Sequence, residues 1–217
     1  MVSIDLKTGH TMINARRIAR GVGTLFLAAF LLYGIGSSIA TTASPGALLT
    51  TGAVMMLLNS VAVVAIGALM LPVLRPHAPS TAVGYLATRI FEGSFLAIGA
   101  IALLVGAANT NFLAYNIAMA GLGIGSLFFC VALYRSRLVP RFLAVWGFVG
   151  YAAFATGCFL ELAGVAGAGL VSTIPGGLFE ILFAIWLIVR GFGAPTAITG
   201  APTAITGAAR VGPPAGR

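Results

Sequence analysis

The sequence predicts an all-α integral membrane protein of six transmembrane helices, with the N and C termini in the cytoplasm. Three observations carry that prediction. Only 7% of the 217 residues are charged and 59% are apolar, with a mean hydropathy of +1.07. A soluble domain carries about 25% charged residues to face water, so the solvent left for this chain is lipid. Six apolar runs are each long enough to cross a hydrocarbon core. The basic residues, with one exception, fall on one side of the alternation those runs create.

The first run, Gly21–Ala40, follows Lys7, Arg16, Arg17 and Arg20. The turn residues Ser44-Pro45-Gly46 precede the second, Thr51–Leu74. Arg75, Pro76 and Pro79 separate it from the third, Ala82–Val105, and Asn109 to Asn111 lead into the fourth, Phe112–Tyr134. Arg135, Arg137, Pro140 and Arg141 come before the fifth, Phe142–Ala163. The glycine-rich stretch Gly164–Gly169 then leads to the sixth, Ile174–Val189, which is followed by Arg190, Arg210 and Arg217. In lipid the backbone must satisfy its own hydrogen bonds, so runs of this length are helices. The loops around 41–50, 106–111 and 164–173 hold no charge, and Arg89 alone departs from the positive-inside pattern. An even number of spans preserves that alternation. A cleaved signal ending at Ser38-Ile39-Ala40 is the competing reading of the first run; the stretch is long for a signal, and its loss leaves the second helix without its partner.

The chain divides into a basic cytoplasmic N-terminus (1–20), a six-helix membrane domain (21–190) and a disordered cytoplasmic tail (191–217). In the tail, Ala194-Pro195-Thr196-Ala197-Ile198-Thr199-Gly200 is repeated as residues 201–207, and its composition cannot bury a core. The net charge of +8 lies in short clusters between apolar runs rather than on one soluble face. It therefore orients the chain and meets membrane lipid, and no nucleic acid is expected as a partner. The two cysteines, Cys130 and Cys158, lie in different runs at different depths, which leaves two packed thiols and no disulfide or zinc spacing.

Of the four acids, Asp5 lies in the polar N-terminus, while Glu92, Glu161 and Glu180 all fall inside spans. A carboxylate in the membrane costs several kcal/mol unless it is neutralised, paired or hydrated, so each is a functional candidate. Glu92 lies roughly 15 Å from the cytoplasmic face, near the midplane. Glu161 approaches the outer end of the fifth helix, and Glu180 lies about two turns below the outer end of the sixth. Tyr85, Arg89 and Glu92, at i, i+4 and i+7, line one face of the third helix. Asn59, Asn116 and Thr156 share the outer half of the membrane. A polar chamber opening toward the outer leaflet accommodates all of them. Only one arginine is embedded, so at least one glutamate is expected to hold a proton at neutral pH, and a neutral acid in an apolar chamber is a proton donor. The plainer alternative is an Arg89–Glu92 intrahelical pair that only fixes packing.

Among the aromatics, Phe91 and Phe179 adjoin glutamates and offer ring faces to a passing cation, and Trp186 joins them as a substrate-contact candidate. The GxxxG within Gly121–Gly125 marks close helix packing. P-loop, HExxH, GxSxG and aspartate-rich motifs are absent, and His10 and His77 sit in flanking polar segments. No metal site or cofactor is therefore expected.

Three segments together carry a family likeness. They are Arg89-Ile90-Phe91-Glu92, the run from Tyr134 through Arg135-Ser136-Arg137-Leu138-Val139-Pro140-Arg141 to Ala144, and Pro175-Gly176-Gly177-Leu178-Phe179-Glu180 continuing to Phe192. The pattern resembles a bacterial multi-pass membrane family known only as a domain of unknown function, which implies a six-span fold and no particular activity. In size, spans and buried carboxylates the chain is also similar in type to the small membrane-bound terpene cyclases. That likeness implies an intramembrane enzyme of the cell membrane acting on a hydrophobic isoprenoid. Glu92 or Glu180 would donate the initiating proton, another carboxylate, Glu161 included, would remove the final one, and Arg89, Tyr85, Asn59, Asn116, Phe91, Phe179 and Trp186 would line the substrate. The alternatives are a small proton-coupled transporter or channel, with Phe91-Glu92 and Phe179-Glu180 as echoes in opposed halves, and a non-catalytic assembly protein.

Overall fold

The structure, a computed structural model, describes residues 6–193, with side chains from residue 15 onward. The tandem duplication of the tail lies outside the described residues. Six helices follow one another: α1 (Leu6–Thr42), α2 (Ala47–Leu74), α3 (Pro79–Leu104), α4 (Ala108–Ser136), α5 (Arg141–Leu162) and α6 (Ala168–Val189). All six are long and apolar enough to cross a membrane. Their ends are set by residues that cannot continue a helix or that start one well. Pro79 occupies the first turn of α3 and Pro140 the N-cap of α5, while Gly46, Gly106, Gly164 and Gly167 turn the chain at positive φ.

Each helix packs against its neighbours in the chain, and α6 closes back onto α1. The result is a sequential ring of six antiparallel helices in which α3 stands opposite α6 and α1 opposite α4. The start of α1 and the end of α6 come to one end of the bundle, called here the termini end. Large apolar side chains such as Leu31, Val61, Phe128 and Leu170 are exposed around the outside. A helix that is apolar all round, packed on one side and bare on the other, is suited to lipid. The seam between α6 and α1 is tight because a Cβ at Gly23 would lie 2.6 Å from the Ala184 carbonyl oxygen. Small residues of this kind let membrane helices approach closely.

Two boundaries differ from the sequence reading by more than four residues. The first helix begins at Leu6 rather than Gly21, so most of the basic N-terminal segment is a helical extension of the first span. The sixth begins at Ala168 rather than Ile174 and carries Pro175 inside it. Gly164 and Gly167 make the whole turn, and Pro175 removes the N–H that would meet the Val171 carbonyl one turn earlier; Trp146 Nε1 separately ties α5 to the Pro175 carbonyl at 3.2 Å. The longer α6 also moves Glu180 deeper than expected.

Candidate functional site

The spacing of Tyr85, Arg89 and Glu92 on α3 turns all three into the ring, where they are 1%, 2% and 3% exposed. Arg89 organises them. Its Nε donates to the Tyr85 hydroxyl oxygen at 2.9 Å, and its Nη1 donates to Glu92 Oε2 at 2.9 Å. Its Nη2 lies 3.7 Å from Glu180 Oε1, across the ring on α6, and makes no hydrogen bond. The Tyr151 hydroxyl, on α5, donates to that same Oε1 at 2.7 Å. Glu92 lies twelve residues from the end of α3 and Glu180 twelve residues from the start of α6. Both are therefore roughly 18 Å below the end of the bundle away from the termini. With both carboxylates ionised, the cluster holds two negative charges and one positive. Buried charge is costly unless neutralised, so the arrangement accommodates one further positive charge, and a proton is the smallest.

Aromatic side chains bracket the cluster. The Arg89 guanidinium carbon is 5.0 Å from the Phe26 ring centroid and 5.2 Å from that of Tyr85. Toward the termini end, Tyr85 stacks on Phe129 at 4.2 Å, and Phe183 meets both Phe129 and Phe26 edge-on. Phe179 packs between Tyr151 and Phe183. Toward the other end, Tyr33 of α1 and Tyr115 of α4 stack at 5.5 Å, a crossbar spanning the ring.

The family model described as Domain of unknown function (DUF4386) matches residues 18–108 and 102–191. The chain belongs to this family. The two matched segments meet at the α3–α4 connection, three helices to each side. Among the curated proteins and the solved structures nothing matches.

The DUF4386 domain brings together Glu92, Glu180, Arg89, Tyr85 and Phe179 from the set expected to act. It sets Glu161, Asn116, Thr156, Phe91 and Trp186 apart. Glu161 accepts a hydrogen bond from the Gly169 backbone N–H at 2.9 Å, closing the turn into α6 and capping that helix's first turn. Asn116 is buried near that same end, with Nδ2 donating to the Phe112 carbonyl at 3.0 Å and Oδ1 unpartnered. Asn59 is buried on α2. Thr156 is exposed on the outside of α5 and bonds its own helix at the Ala152 carbonyl, so it does not join a chamber. Phe91 is 40% exposed beside Phe95, because one residue's step around α3 from Glu92 leads to the outer surface. Trp186 lies at the termini end, with Arg190 over its ring at 5.9 Å.

Sequence reasoning missed Tyr151, Phe26, Phe129 and Phe183. Tyr151 carried a usable signal: it lies eleven residues from the end of α5, the same depth as Glu180. The phenylalanines carried none, since depth alone does not say which face of a helix meets the ring.

Proposed function

We propose that the DUF4386 chain is a small proton-coupled transporter of the cell membrane, with its termini in the cytoplasm. In this reading Glu180 is the group that takes up and releases the proton, and Arg89 is the fixed counter-ion. The observation that carries the reading is a pair of carboxylates at matched depth, on helices opposite each other in the ring, sharing one arginine. Membrane-embedded acids with an arginine partner are the usual material of proton relays. Glu180 has two partners to choose between. Protonated, it has no ionic claim on Arg89 and keeps Tyr151; ionised, it is drawn the 3.7 Å toward Nη2. A link across the ring that strengthens and weakens with one proton is a means of changing how the halves of the bundle sit. The uncharged loops at one end and the arginines at the other support the orientation.

A second reading, the isoprenoid cyclase, draws on Tyr151, Glu180 and Phe179 as an acid set beside aromatic faces, and on an apolar groove of about 640 Å³ on the outside of α5 and α6. Against it stands Arg89, whose guanidinium already occupies the Phe26 and Tyr85 faces and repels a carbocation there.

Infrared difference spectroscopy on reconstituted protein between acid and alkaline buffers tests proton exchange. Wild type should show a carboxyl band that Glu180→Gln loses and Glu161→Gln keeps. Everted, energised vesicles containing acridine orange then test coupling: addition of the transported solute should dissipate the quench with wild type and not with Glu180→Gln. A carboxyl band indifferent to pH overturns the reading. A new prenyl isomer in lipid extracts of expressing cells, absent with Glu180→Gln, would replace it with the cyclase.

A further inference from the structure

One seam of the ring is built differently from the rest. Every other pair of neighbouring helices is joined by a loop, whereas α1 and α6 are the first and last helices and only pack. A Cβ at Gly23 would lie 2.6 Å from the Ala184 carbonyl oxygen, and one at Gly177 would lie 3.2 Å from the Phe30 ring. The two pairs are seven residues apart on each helix and set an antiparallel register. One further turn along both stripes brings Gly34 opposite Thr173, yet a Cβ at Gly34 would meet nothing within 4 Å. The helices have parted by that level. The α1 wall of the resulting cleft continues through Ser38 and Thr41, both exposed and both hydrogen-bonded to carbonyls of their own helix. The cleft opens at the end of the bundle away from the termini, and its walls carry hydroxyls but no charge.

Glu180 lies one turn below the point of parting, three residues past Gly177 and four before Ala184. Its side chain is 17% exposed, against 2% for Arg89 and 4% for Glu92, so free space in the cluster adjoins Glu180. Both of its polar contacts, with Tyr151 and with Arg89, go to Oε1 and leave Oε2 with neither. Facing it are Arg89, Glu92 and Tyr85 of α3, Tyr115 and Cys130 of α4, and Tyr151 of α5. Of these only the arginine and the glutamate carry charge at neutral pH.

With both carboxylates ionised, the cluster is one negative charge in excess. One proton on Glu180 neutralises it, and so does one monovalent cation at Oε2, whereas an anion adds to the excess. A solute entering from lipid must be apolar over most of its surface. Phe30, where the cleft closes, offers a ring face to its charge.

We infer that the solute exchanged for the proton is an amphipathic monovalent organic cation, which reaches the Glu180 carboxylate through the cleft between α1 and α6. The inference rests on the reading of Glu180 as the proton-exchanging group. Cation and proton compete for that carboxylate one for one, so the exchange moves no net charge. Arg89 excludes the cation from the Phe26 and Tyr85 faces and keeps it on the cleft side of Glu180.

Tetraphenylphosphonium is the probe and benzoate its anionic counterpart, each in equilibrium dialysis against the full chain in neutral detergent. Tetraphenylphosphonium should bind saturably and more tightly as pH rises, by at most about tenfold per pH unit, the limit for one displaced proton. Glu180→Gln should abolish that binding. In the everted, energised vesicles, tetraphenylphosphonium should dissipate the acridine orange quench faster than in vesicles without the chain. Gly34→Leu, which fills the cleft without touching the cluster, should remove that difference. Gly84→Leu, equal bulk on α3 where nothing lies within 4 Å, should keep it. A pH-dependent Glu180 carboxyl band with no saturable tetraphenylphosphonium binding, or with binding indifferent to pH, would overturn the cation and leave proton exchange standing. Absence of the band would remove both. Saturable benzoate binding that survives in Glu180→Gln would replace the cation with an anion held by Arg89. Unaltered dissipation in Gly34→Leu would overturn the cleft as the route, and that variant also serves if Glu180→Gln fails to fold.

Discussion

Arg89 is the residue on which the interior turns, because it is the one cation of the Arg89–Glu92–Glu180 cluster. Removing it leaves two carboxylates facing each other in a water-poor interior. Arg89→Leu should therefore destabilise the bundle by about 3–5 kcal/mol, read from denaturant unfolding in detergent. The double variant Arg89→Leu/Glu92→Leu should recover much of that loss, since the uncompensated partner goes with it. No recovery would mean that Arg89 acts mainly through its contacts with Phe26 and Tyr85. Tyr151→Phe deletes the 2.7 Å bond to Glu180 and should cost only about 0.5–1.5 kcal/mol, while shifting the Glu180 carboxyl band in the infrared. Much of this was legible in the residues alone. Glu92 and Glu180 announced themselves by depth, and Tyr85, Arg89 and Glu92 by their spacing on one helix face. Tyr151 escaped notice because its role depends on which face of α5 meets α6, and hydropathy carries no such information when helices are apolar all round.

Elements explain the two glutamates that part company. Glu161 and Glu180 look alike in sequence, both carboxylates in apolar runs, yet the first ends α5 and serves the first turn of α6. Glu161→Ala should cost about 1 kcal/mol, as loss of a cap does, and leave proton exchange at Glu180 intact. A lost carboxyl signal in that variant would contradict the separation of the two sites. The start of α6 was misplaced by sequence reasoning for a related reason. The sequence reading begins the sixth run at Ile174, but the glycines at 164 and 167 complete the turn early, and α5 supplies Trp146 and Glu161 to steady the extra residues. The seam of α1 with α6 offers a matched pair of tests. Gly23→Leu, against the Ala184 carbonyl, should destabilise by about 1–3 kcal/mol, whereas Gly34→Leu, with nothing within 4 Å, should be tolerated in the same thermal unfolding measurement.

For the whole molecule, six antiparallel helices bring 42–47, 104–108 and 162–168 to one end, and the start of α1 and the end of α6 to the other. Single cysteines placed at Ala107 and Val165 should react with an impermeant maleimide added to intact spheroplasts, and cysteines at Arg16 and His77 only after permeabilisation. The reverse pattern would invert the orientation read from the arginines. The fold was legible at this scale because lipid leaves few choices: length, turn residues and charge sides fix the number of spans. The closing of α6 onto α1 was not, since ring closure depends on small residues meeting across a seam. The pairing within α3 has a further consequence, in time rather than in space. The chain is made from its N-terminus, so α3 must enter the bilayer before α6 exists. Its mean hydropathy of 1.5 is the lowest of the six spans, and Glu180 arrives 88 residues after Glu92. An arginine entering alone would meet a penalty of about 2.5–3.5 kcal/mol at the membrane centre. Glu92, one turn away on the same helix, lets the segment cross as a closed dipole. Only later does Glu180 arrive, setting a second carboxylate 3.7 Å from the arginine that the first had already neutralised.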